Sequence, residues 1–66
     1  MKLSHLLTVI PAGEPVKVIT YHYQEYLDDS GVIPSDKIPE EWDDLEVSSV
    51  YKGLGNYIVI YCVEEM

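Results

Sequence analysis

Cys62, His5 and His22 are the side chains from which nucleophilic catalysis would have to be assembled in this sequence. A reactive thiol needs an electropositive, partly exposed setting and a base to take its proton. Cys62 lies instead in Tyr57-Ile58-Val59-Ile60-Tyr61-Cys62-Val63, a run without a charge, where a thiol behaves as a small hydrophobe with a raised pKa. Neither histidine has a nucleophile beside it in sequence. Gly53-Leu54-Gly55 joins two predicted strands, whereas a phosphate-binding loop joins a strand to a helix. These residues predict no enzyme and no cofactor.

The carboxylates offer more. Asp29-Ser30-Gly31 has the residue order that carries the catalytic carboxylate of aspartic proteases. That chemistry needs two carboxylates sharing a proton in a closed cleft, which a dimer could supply. It also needs a longer chain and an apolar lead-in, and Asp28 stands in that place. Asp, Ser and Gly are equally turn residues, and the stretch reads as a turn or bulge. Asp28, Asp29, Asp36 and the Glu40–Asp44 group lack the alternating acids, central glycine and closing glutamate of a calcium loop. They predict a solvated acidic face and no metal site. Gathered on one side, the acids from Glu25 to Glu46 would imitate the charge spacing of a nucleic-acid backbone and fit a basic cleft.

The six tyrosines, with no phenylalanine at all, are the other functional signal. Tyr21, Tyr23, Tyr51, Tyr57 and Tyr61 fall in predicted strands, and Tyr26 lies just past one. Tyrosine joins apolar area to a wet tip and is enriched in recognition surfaces. Half-exposed strand positions account for such residues in the plainest reading. The sharper one is a tyrosine-lined sheet face, rimmed by Asp43, Asp44 and Glu46, that binds a protein or a second copy of the chain.

The elements that must position these residues follow from periodicity. Leu3, Leu6, Leu7 and Ile10 mark one helical face, with Ser4 as N-cap and Pro11 forcing the end. Pro11–Pro15 is a turn. Val16–Tyr23 is a strand with Val16, Val18 and Thr20 on one face and Ile19, Tyr21 and Tyr23 on the other. Gln24-Glu25 turns the chain, Tyr26-Leu27 begins a return strand that the Asp28–Gly31 stretch breaks or bulges, and Val32-Ile33 resumes it. Pro34–Lys37 is a loop. Ile38–Asp44 is one helical turn carrying Trp42 to the edge of the core. Leu45–Tyr51 alternates and pairs antiparallel with the 57–63 strand through the Lys52–Asn56 turn. In that last strand Ile58, Ile60 and Cys62 form an aliphatic face on which the helix sits.

With 66 residues the chain is one domain, and its single cysteine excludes an internal disulfide. Stability must come from a well-packed core or from oligomerisation, since a strand apolar on both faces needs two covers. Twelve acidic residues against four basic give a net charge of −8, which argues against direct binding of nucleic acid or anionic membranes. A basic protein partner fits this charge. No run is long enough to span a bilayer and no leader pattern precedes the first element, so a cytosolic chain is predicted.

Leu3-Ser4-His5-Leu6-Leu7-Thr8-Val9-Ile10-Pro11, Val16-Lys17-Val18-Ile19, Ile38-Pro39-Glu40-Glu41-Trp42, Val47-Ser48-Ser49-Val50-Tyr51 and Tyr57-Ile58-Val59-Ile60 together resemble small acidic proteins of unassigned function encoded by phages and prophages of Gram-positive bacteria. The resemblance spans most of the chain in outline and departs at Tyr26–Ser35, which is longer and more irregular than a simple hairpin. It carries over no catalytic or binding residue. It implies a host-cytoplasmic setting and binding to host proteins, defence nucleases among them. The combined expectation is an α+β domain: a short N-terminal helix on a three- or four-stranded antiparallel meander. Its expected role is that of a non-enzymatic interaction protein, with a nucleic-acid mimic and a self-associating structural protein as alternatives.

Overall fold

The computed structural model of the chain describes residues 1–22, 25–53 and 55–64. Tyr23 therefore lies outside the described residues. The order of elements is α1 (Leu3–Val9), β1 (Pro15–His22), β2 (Glu25–Asp29), β3 (Ile33–Pro34), two 3-10 turns (Ser35–Lys37 and Glu40–Trp42), β4 (Glu46–Lys52) and β5 (Ile58–Val63). The fold is α+β, one short helix lying on one face of a mixed sheet.

The sheet runs β2-β1-β5-β4, with β3 sharing the outer edge of β1 beside β2. The β1–β2 and β4–β5 pairs are antiparallel, as the sequence predicts, but β1 and β5 are parallel. The expected meander is corrected at its centre. A strand apolar on both faces is worth most in the middle of a sheet, where both edges and both faces are covered. Inserting β5 between β1 and β4 pairs both of its edges and puts its aliphatic face in the core, with β5 running parallel to β1 and antiparallel to β4.

The register of the central pair, Val16↔Ile58, Val18↔Ile60 and Thr20↔Cys62, puts the two aliphatic rows side by side. Val16, Val18, Ile60 and Cys62 are fully buried together with Leu3. Leu6, Leu7, Ile10, Ile38, Trp42, Leu45, Val47 and Ile58 pack around them. The helical face and the aliphatic strand face thus meet as periodicity predicts.

The start of α1 does not. Ser4 is inside the helix and Lys2 occupies the N-cap position without a side-chain cap. The loop after Trp42 supplies the acceptors instead: the Leu3 and Ser4 N–H groups donate to the Leu45 and Asp43 carbonyls at 2.8 and 3.0 Å. Main-chain carbonyls from a distant segment satisfy donors that sequence assigns to a local hydroxyl.

Two irregularities decide which way side chains point. The β4–β5 register slips between Val47 and Ser49, and the β1–β2 register slips between Thr20 and Tyr21, where Tyr21 pairs Tyr26 and Thr20 pairs Asp28. An extra residue in one strand reverses the alternation beyond it. Hence Val47 shares the core face with Cys62, while Ser49, opposite Tyr61, and Tyr51, opposite Val59, lie on the other side. The unbroken alternation expected for Leu45–Tyr51, with Val47 and Tyr51 on one face, is corrected by this bulge.

Candidate functional site

The face of the sheet opposite α1 is not covered by any other described element. Ile19 and Tyr21 of β1, Tyr26 of β2, Ser49 and Tyr51 of β4 and Tyr61 of β5 line a groove of about 630 Å³ there. Four of the six lining side chains are phenols and none carries a charge. Tyr26 and Tyr51 are 62% and 58% exposed, against complete burial of the core beneath. Here large, partly apolar side chains stand next to one another, whereas Val9 and Val32 are exposed singly.

The rings are arranged by strand geometry. Tyr61 stands centrally on β5, with Tyr21 at 6.5 Å and Tyr51 at 5.6 Å between ring centroids. The interplanar angles are 66° and 84°, so both contacts are edge-to-face, the favoured arrangement for aromatic quadrupoles. The Tyr21 and Ser48 hydroxyls are 2.8 Å apart, and the Ser48 hydroxyl donates to the Tyr61 carbonyl at 3.2 Å. Ser48 sits where the β4 bulge turns it toward Tyr21. That bulge both re-aims Ser49 and Tyr51 and ties the tyrosine cluster to the backbone of β5.

The β2 wall is polar. Asp29 pairs with Ile19 in register, and its carboxylate lies 3.6 Å from the Lys17 ammonium. The Gly31 N–H, donating to Asp29 at 2.6 Å, is the main cause holding that carboxyl below its ordinary range; desolvation opposes it, and the Lys17 charge and the Tyr26 phenol add to the lowering. The Tyr26 phenol is raised, first by desolvation and then by the charges of Asp29 and Asp28. The Asp29-Ser30-Gly31 triplet is spent on structure: Gly31 has φ of +69°, and the Ser30 hydroxyl accepts from the Val18 N–H at 2.9 Å while its own N–H donates to the Val18 carbonyl. It is the turn that joins β2 to β3.

The remaining expected site residues are dispersed. Tyr57 precedes β5 instead of lying in it, its ring packed on Gly53, where an added Cβ would come within 2.6 Å of it. With Glu14, Val50, Tyr51, Lys52, Asn56 and Ile58 it lines a second depression at the other end of the β4–β5 hairpin. Asp43, Asp44 and Glu46 do not rim the tyrosine groove. Asp44 pairs with Lys2 at 3.3 Å and Glu46 with the Met1 amino group at 2.9 Å, beside the start of α1. Glu41, Asp44, Glu46 and Glu64 surround a shallow hollow at that end, and Asp28, Glu41 and Glu64 border an adjacent one. Tyr26, which sequence places past the first strand without a role, belongs to the groove. It stands opposite Tyr21 in the β1–β2 pair, a position set by the bulge between Thr20 and Tyr21.

Cys62 and the histidines stay apart from this face. Cys62 is buried, and desolvation pushes its thiol up to about 11, with the Glu46 charge a second cause. His5 is exposed on α1, and the His22 Nδ1 lies 2.9 Å from the Glu64 carbonyl. Because the folded chain holds the Cys62 proton more tightly than the unfolded chain, whose thiol ionises near 9.0, this stability is complete below pH 9 and is lost as pH rises toward 11. The urea midpoint advantage of the native chain over Cys62→Ala is expected to shrink between pH 8 and pH 11. A constant difference over that range would show that the thiol ionises as freely in the folded state.

Among the described residues no group of three or more His, Cys, Asp or Glu side chains is placed to hold a metal ion, and no helix is long and apolar enough to cross a membrane. No protein family, curated protein or solved structure matches the chain.

Proposed function

We propose that this chain is a non-enzymatic protein-interaction module that docks a partner on the tyrosine-lined face of its sheet. The observation that supports this most is the uncovered groove: four tyrosines converge from β1, β2, β4 and β5 on one side of the sheet, two of them largely exposed. Aromatic side chains with few rotamers give contact area at small entropic cost. The only described thiol is buried and held protonated, which favours binding over nucleophilic chemistry. In the setting that the resemblance implies, the partner is a host-cell protein and the module a phage-borne inhibitor or modulator acting in the cytoplasm.

A second reading has its own observation. Asp28, Glu41, Asp44, Glu46 and Glu64 collect around two neighbouring hollows at one end of the molecule, as a mimic of a nucleic-acid backbone would require. Lys2 and the Met1 amino group already neutralise part of that end, so the tyrosine face is favoured. A self-associating structural protein would bury the same face against its own copy.

Capture from host lysate with the tagged chain, at about 50 and about 300 mM salt, separates these readings because screening acts on exposed charge. A partner retained at the higher salt is the expected result. A partner lost there would transfer the function to the acidic end. Recovery of the chain alone, with a melting temperature that rises with concentration, would establish self-association.

A further inference from the structure

The sheet ends on β4, and the outer edge of that strand is closed at one end only. Lys2 bridges Glu46 there, and the Val47 N–H donates to the Met1 carbonyl at 2.8 Å. From Ser48 to Lys52 no other described element pairs with this edge. On the inner side the Gly53 N–H donates to the Tyr57 carbonyl at 2.8 Å. Main-chain groups alternate in direction along an antiparallel strand, so Tyr51, two residues back, also bonds toward β5. Val50 and Lys52 therefore turn their N–H and C=O groups outward. We infer that this edge pairs with β4 of a second copy of the chain, antiparallel about a two-fold axis at Tyr51. The pairing is independent of what docks in the groove.

Length argues for this occupant. The open stretch is short, and a long extended segment laid along it would run into Met1 and Lys2. The partner's β4 ends at its own Lys52 and its chain turns away at Gly53, so it fits the space. In this register Val50 and Lys52 stand opposite the partner's Lys52 and the partner's Val50. Both are hydrogen-bonded pairs, so the outward groups of these residues are satisfied in both copies. Tyr51 meets the partner's Tyr51 in the non-hydrogen-bonded pair, where side chains approach most closely. Val50 and Tyr51, both exposed in the single chain, are covered together.

Charge selects the same edge. Ser48, Ser49, Val50 and Tyr51 carry none, whereas β2 at the far side of the sheet bears Glu25, Asp28 and Asp29, which guard it against pairing with another acidic chain. The net charge of −8 on each copy still opposes the encounter. One short strand edge is also smaller than a standard interface of roughly 1,600 Å², so the dimer forms when concentrated and dissociates when dilute.

Sedimentation equilibrium and amide hydrogen exchange on the intact chain test this at about 10 μM and about 1 mM, concentrations that bracket a weak dissociation constant. At the higher concentration the mass should double. Exchange of the Val50 and Lys52 N–H groups should slow about fivefold or more, while that of Tyr51, already bonded to β5, should not change. Val50→Lys keeps the bonds to β5 but sets a like charge against the partner's Lys52, and should hold the chain monomeric. Adding Lys52→Glu makes both cross-strand pairs opposite in charge and should restore the dimer. A monomer at the higher concentration would overturn the inference, as would a dimer without slowed exchange at Val50 and Lys52. A dimer that survives Val50→Lys, or a double variant that is folded by circular dichroism yet monomeric, would overturn it too.

Discussion

Replacing Ile60 with alanine is expected to remove a large share of this chain's stability. Ile60 is completely buried, sits on the most central strand, and packs with Leu3, Val16, Val18 and Cys62. Deleting such a side chain removes its transfer free energy and leaves a cavity, about 2–5 kcal/mol together. A chain of 66 residues has roughly 3–10 kcal/mol in total. The substitution therefore consumes much of the stability, and there is no disulfide to compensate, since Cys62 is the only cysteine. Val50 provides the contrast. It pairs directly with Ile60 across the hairpin but is 46% exposed. Val50→Ala should change stability by about 0.5 kcal/mol or less. Urea melts of the three proteins give the comparison. A small loss at Ile60, similar to that at Val50, would mean that the core lies elsewhere than the α1-covered face.

Tyr61→Ala is expected to weaken partner binding by about 2 kcal/mol or more, roughly 30-fold, the range of an interface hot spot. Tyr61 is the ring that both Tyr21 and Tyr51 contact, so its removal takes away one ring and the support of two others. Tyr51→Ala should follow with a smaller loss, because Tyr51 lies on the outer strand of the sheet. Tyr57→Ala should leave affinity unchanged, since that ring rests on Gly53 away from the groove. Affinity for the captured partner, measured by calorimetry with circular dichroism as the folding control, reads all three. If Tyr57→Ala were damaging and Tyr61→Ala neutral, the docking face would be the second depression and not this one. If both were neutral, the tyrosines would be no more than half-exposed strand residues.

These two expectations rest on opposite faces of the same strand, and the sequence supports them unequally. Period-2 alternation in Ile58–Val63 and Val16–Thr20, with the 3,4 spacing of Leu3, Leu6, Leu7 and Ile10, determined the core. Such patterns are local: a strand side chain faces its neighbour two positions on whatever else the chain does. The turn character of Asp29-Ser30-Gly31, the β4–β5 hairpin and the inert setting of Cys62 were legible for the same reason.

Tertiary structure alone decided how the tyrosines assemble. The parallel pairing of β1 with β5 brings Tyr21 beside Tyr61, and it depends on residues 42 positions apart in sequence choosing one edge over another. The bulges after Val47 and Thr20 turn Tyr51 and Tyr26 to that same side, and a bulge is a compromise between two strands that neither encodes alone. The acids show the converse. Asp43, Asp44 and Glu46 are close to Tyr51 in sequence, yet main-chain bonds from Leu3 and Ser4 draw that loop to the start of α1. Composition determined that the protein would carry many phenols and an excess of negative charge. Only strand order and register, with β5 paired on both edges, placed four of the phenols in one groove and most of the charge elsewhere.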